Sequence, residues 1–121
     1  MDQSGSPTPA TTIDKIMKKI LIVTVTALTM IVNASDVKEI YTKNCAKCHG
    51  EDGKGQTTMG KKLGIKDYTN PETQSKLNDP QMVKAIKQGV KEDDKTKMKA
   101  FDVFTDEEVN GLVAYIRTFK K

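Results

Sequence analysis

The sequence predicts an all-α domain with long loops, and three observations carry that prediction. Apolar residues recur at helical spacing in three separate segments, two of them opened by recognisable start signals. No run alternates long enough to form a sheet. The stretch from Gly50 to Asn78 is long and punctuated by Gly50, Gly53, Gly55, Gly60, Gly64 and Pro71, which suits a loop that wraps something.

The first helix is expected to open near Asp36, where Asp36 and Glu39 have the spacing of a capping box. Val37, Ile40, Tyr41 and Cys48 then share one face. The second is expected at Asp79-Pro80, read as a cap followed by proline at the first helical position. It carries Met82, Val83 and Ile86 and stops at Gly89. The third begins at Thr105, which with Glu108 completes a T-x-x-E box. Val109, Leu112, Val113 and Ile116 form its apolar stripe, the clearest in the chain.

Ahead of these helices, "MKKILIVTVTALTMIVNASD" reads as an export signal from Met17 to Ala34. Two lysines precede an apolar run from Ile20 to Val32, and a small residue closes it. That run is 13 residues long, short of the roughly 20 a bilayer span needs, so a cleaved signal is expected rather than an anchor. Residues 1–16 are polar and rich in Ser, Thr and Pro. They read as a doubtful leader, either a misassigned start or a disordered segment. The expected domain is residues 35–121.

From residue 35 on there are 17 Lys and Arg against 14 Asp and Glu, and Arg117 is the lone arginine. A dispersed lysine surface argues against nucleic-acid binding, which favours arginine forks and stacking aromatics. Leu, Ile, Val and Phe make up 16 of those 87 residues, below the ~20% at which a chain builds its own core. A domain this small usually needs a staple, and a flat apolar macrocycle would serve.

Both cysteines and the only histidine stand within "CAKCHG", residues 45–50. C-x-x-C-H is the attachment motif of c-type haem. On a helical turn, Cys45 and Cys48 share a face and both reach one porphyrin as thioethers. His49 then supplies its imidazole to the iron. A dithiol oxidoreductase expects a βαβ setting that is missing, and a structural zinc site expects about four N or S ligands where three exist. With one histidine in the chain, bis-histidine ligation within it is impossible. Met59, Met82 and Met98 are the candidate sixth ligands. Met82 lies on an apolar helix face, and Met59 follows His49 by only ten residues. Met98 lies in a connection free to cover the iron, and Met/His is the common electron-transfer pairing.

"CAKCHGEDGKGQ", then "TKMKAF" and "FTDEEVNGLVAYIRTFKK", resemble a small monohaem class I cytochrome c of bacteria over residues 36–121. The resemblance implies a cytochrome c-like fold of three main helices and long loops around one haem. It also implies haem c held through Cys45 and Cys48, with His49 proximal and Met98 distal. Two departures stand out. "TTMGKKLG" holds no proline whose carbonyl would orient His49, and Lys99 follows Met98 where proline is usual.

The expected function is a periplasmic electron carrier, not an enzyme, cycling Fe(III) and Fe(II) between redox protein partners. Those partners are a membrane or periplasmic reductase and oxidase. The chain is expected to be a monomer, without nucleic acid or stable membrane insertion. The alternatives are a haem protein with an open or labile sixth site, acting as gas sensor or peroxidase, and a haem-free dithiol oxidoreductase. Lysines 54, 61, 62, 97 and 99 stand near the motifs, and Tyr68, Phe101 and Phe104 are candidates to pack on the porphyrin.

Overall fold

The structure is a computed structural model that describes residues 31–121. The expected leader, and the export signal up to residue 30, lie outside the described residues. Helix α1 spans Ala34–Asn44 and runs directly into a short helix α2, Ala46–His49. Helices α3 (Thr58–Leu63), α4 (Pro71–Lys76) and α5 (Asp79–Gln88) follow, then a hairpin of β1 (Val90–Glu92) and β2 (Lys95–Met98), and finally α6 (Asp106–Arg117).

Helix α1 begins two residues earlier than Asp36. The Asn33 carbonyl accepts from the amides of Asp36 and Val37 at 3.0 and 3.2 Å, so Asn33 is the cap residue. The expected Asp36–Glu39 box does not form. Asp36 lies instead in the first turn, where its charge complements the helix dipole, and Glu39 pairs with Lys43 one turn on. Helix α5 is displaced in the same sense. Its cap is Asn78, whose side chain accepts from the Gln81 amide at 3.2 Å, and this leaves the Asp79 carboxylate for another partner. Its stop is as expected, at Gly89 with φ +73°.

The α6 capping box is complete: Thr105 Oγ1 accepts from the Glu108 amide, and the Glu108 carboxylate accepts from the Thr105 amide. Its stripe forms the centre of the core, with Val109 and Leu112 shut off from solvent. Val37, Tyr41, Met82, Ile86 and Phe101 are buried with it. Each such side chain contributes about 1.5–3 kcal/mol on burial. Helix α6 packs on α1 and α5. Gly111 allows the first approach, because a Cβ there would lie 2.8 Å from a Val37 methyl.

Two features are not foreshadowed in the sequence. Gly50–Asn78 holds α3 and α4, each six residues long, too short to show a period. The β1–β2 hairpin is antiparallel and mostly exposed, so it shows no alternation of apolar and polar residues. The fold is nonetheless all-α apart from this hairpin. No helix among the described residues is long and apolar enough to cross a membrane.

Candidate functional site

The C-x-x-C-H residues sit where two helices meet. The Cys45 amide donates to the Tyr41 carbonyl at 2.8 Å, closing α1. The Cys45 carbonyl then accepts from the amides of Cys48 and His49 at 3.2 and 2.9 Å, opening α2. One residue thus ends one helix and starts the next, and Cys45 and Cys48 fall one turn apart. Both are half-buried free thiols. Burial, helped by the neighbouring Cys48, pushes the Cys45 thiol up to about 11.

The segment after the motif folds back beneath it. The Gly55 amide donates to the His49 carbonyl at 2.7 Å, and Thr57 Oγ1 donates to the Cys48 carbonyl at 2.7 Å. The same hydroxyl accepts from the Gly60 amide at 2.9 Å. Gly60 is glycine because a Cβ there would overlap the Gly55 and Cys48 carbonyl oxygens. The buried Tyr41 hydroxyl donates to the Gly50 carbonyl at 2.7 Å, and the ring of Phe119 lies against Gly53, 2.7 Å from where a Cβ would stand.

His49 stacks on Tyr68, ring centres 5.2 Å apart and planes within 15°. Tyr68 is itself fixed by its amide, which donates to the Gly53 carbonyl at 2.8 Å. Burial holds the His49 imidazole below its ordinary pKa, which favours the neutral ring with a lone pair to offer. Its Nδ1 is buried and has no hydrogen-bond partner among the described residues. Nothing there takes the place of the proline carbonyl missing from the sequence.

Cys45, His49, Tyr68 and Met98 line one open cleft of about 270 Å3. Met82, Ala85 and Ile86 of α5 and Leu112 and Ile116 of α6 form its apolar walls. Lys66, Lys76, Asn78 and Gln81 form a polar rim. Cys48 stands beside the cleft rather than in its lining. Met82 lines the cleft but is also buried in the core, whereas Met59 is exposed on α3 and lies off the cleft. Phe101 and Phe104 stack on each other, planes 4° apart, and are not in the lining.

The donor set fits a covalently held haem. Two thiols stand one helical turn apart, and the His49 imidazole and the thioethers of Met98 and Met82 border the same largely apolar cleft. Among the described residues no group of three or more His, Cys, Asp or Glu is placed to hold a metal ion.

The four polar rim residues do not stand out in the sequence, though part of their signal is there. Asn78, Gln81, Met82, Ala85 and Ile86 repeat at i, i+3, i+4, i+7 and i+8, one face of α5 turned to the cleft.

Residues 34–120 match the family model described as cytochrome c. Among solved structures the chain is similar to the "KustC0563 c-type cytochrome". The two share 35% sequence identity and a TM-score of 0.62, over 69% of this chain and 96% of that one. No curated protein matches at a significant level. Motif, cleft, family match and structural likeness agree, and the chain belongs to the cytochrome c family.

Proposed function

We propose that this protein is an exported, periplasmic electron carrier with one haem c, bound through Cys45 and Cys48 and ligated by His49 and Met98. Membership of the family brings haem-based electron transfer with it. The finer assignment is supported by one observation: His49 and Met98 border the same cleft, the competing Met59 does not, and Met82, which does, is buried in the core.

When bound, the haem supplies a one-electron Fe(III)/Fe(II) couple, whose potential a thioether ligand raises. The protein supplies everything else. Cys45 and Cys48 tether the cofactor so that it is not lost to solution. Tyr68, stacked on the imidazole, fixes the plane of His49. Met82, Ala85, Ile86, Leu112 and Ile116 exclude water, which lowers the local dielectric and disfavours net charge. Lys66, Lys76, Asn78 and Gln81 are suited to the haem carboxylates. No chemistry is performed on a substrate, and the partners are redox proteins that meet the chain as a monomer.

An absorption spectrum on chain matured with haem tests this, taken ferric and then ferrous with and without carbon monoxide. A weak far-red ferric band and no response to carbon monoxide are expected. A carbon monoxide shift would mean an open sixth site, and a colourless protein would end the haem assignment.

A further inference from the structure

Met98 is the last residue of β2, and the hairpin that carries it has unusual chemistry at its turn. Glu92 pairs with Lys95, so the loop is two residues long. Those residues, Asp93 and Asp94, both have positive φ, +48° and +58°. A two-residue turn with both central residues at positive φ is of the primed type that matches strand twist, and Asn-Gly is its preferred sequence. Two aspartates hold it here, at a cost an Asn-Gly pair would not carry.

The other end of the hairpin is fixed more tightly. Val90 pairs with Met98 while Lys91 pairs with Thr96, so Lys97 is the extra residue of a bulge. A bulge re-aims the side chain beside it, here the thioether. A Cβ on Gly89 would lie 2.6 Å from the Met98 carbonyl oxygen and 2.8 Å from the Ala100 amide nitrogen. Just beyond Lys99 and Ala100, the Phe101 amide donates to the Ile86 carbonyl at 2.8 Å, and the Phe101 side chain is buried in the core. Met98 is therefore bracketed by a firm anchor at Phe101 and a weaker one at the Asp93-Asp94 turn.

We propose that the β1–β2 hairpin takes the place of the missing proline as the device that holds Met98 over the cleft. In this role Asp93 and Asp94 are positioning residues that set how often the thioether leaves the iron. The proposal rests on Met98 being the sixth ligand. An exogenous ligand reaches the iron only in the fraction of molecules whose thioether has let go, so its apparent affinity reports that fraction directly.

The test is imidazole binding to the ferric holoprotein, read with the far-red ferric band and the reduction potential, with thermal melting measured in parallel. Asp93→Val with Asp94→Val places β-branched residues where φ is positive. Imidazole is expected to bind roughly tenfold more tightly to this variant, with a weakened far-red band and a lower potential. Asp93→Asn with Asp94→Gly should do the reverse, weakening imidazole binding several-fold while the band persists. Met98→Ala is the reference, with the tightest binding and no band.

If Met98→Ala tightens imidazole binding and the valine pair leaves affinity, band and potential unchanged, the hairpin proposal is overturned while the ligation stands. If Met98→Ala itself changes nothing, the ligation fails and takes the proposal with it. Should the valine pair yield no holoprotein, the Asn-Gly pair decides. Several-fold weaker binding supports the proposal, and unchanged binding overturns it.

Discussion

Arg117 grips Asp79 through two nitrogens, Nε at 3.0 Å and Nη2 at 2.6 Å from the same carboxylate oxygen. The same guanidinium donates to the carbonyls of Gln74 at 2.6 Å and Leu77 at 2.9 Å. The lone arginine thus ties the end of α6 to the end of α4 and the start of α5. Gln74, the one buried polar residue among those described, donates to the carbonyls of Tyr68 and Ile116 and completes the joint. Arg117→Lys keeps the charge but loses the planar fork. It should cost about 1–3 kcal/mol, read as a melting point lower by roughly 4–8 °C for each kcal/mol. An unchanged melt would show that the joint carries no stability.

Gly60 and Gly64, one inside α3 and the other at its end, make a contrasting pair. Gly60→Ala drives a methyl into the Gly55 and Cys48 carbonyls, so it should cost more than about 2 kcal/mol and reduce the yield of holoprotein. Gly64 has φ +67° but open space around it, so Gly64→Ala should cost only about 1 kcal/mol. Equal melting points for the two variants would contradict the close packing beneath the motif.

Asp67 accepts from the amide and the hydroxyl of Thr69 at 2.8 and 2.7 Å, and the Thr69 hydroxyl holds its carboxyl below the ordinary carboxylate range. A carboxyl depressed in the folded state adds stability that is fully present above its unfolded pKa, near about 4. That stability is lost as pH falls through the folded value. Wild type should therefore melt slightly above Asp67→Asn at about pH 6, and the gap should close below about pH 4. A gap that stays constant across that range would rule out a charge effect.

Without haem the cleft walls have little to pack against, and the apolar set is small for a domain of this size. Chain produced without haem attachment should show no cooperative thermal transition by circular dichroism, whereas the holoprotein should show one. A cooperative melt of the haem-free chain would mean that the helices support one another unaided.

The helices and the candidate haem site are legible in the sequence to different depths. The α6 stripe and its capping box are local signals, and both form as read. The starts of α1 and α5 differ from expectation for different reasons. At α5, Asn78 precedes an aspartate that is itself a good cap, and sequence alone does not say which of the two neighbours is used. At α1, the cap Asn33 lies inside the stretch read as the end of the export signal. C-x-x-C-H is legible because its chemistry depends on spacing within one turn. The cleft's polar rim is not, since Lys66 and Lys76 reach it from separate elements and look like any other surface lysines. The hairpin leaves no signature because exposed strands of three and four residues have no buried face to impose alternation.

The ring of Phe119 resting on Gly53 makes the loop after the motif depend on a residue far along the chain. Phe119 follows His49 by 70 residues, and the loop it covers comes directly after the C-x-x-C-H motif. A chain truncated before Phe119 would keep both thiols but leave the loop that follows them without its cover.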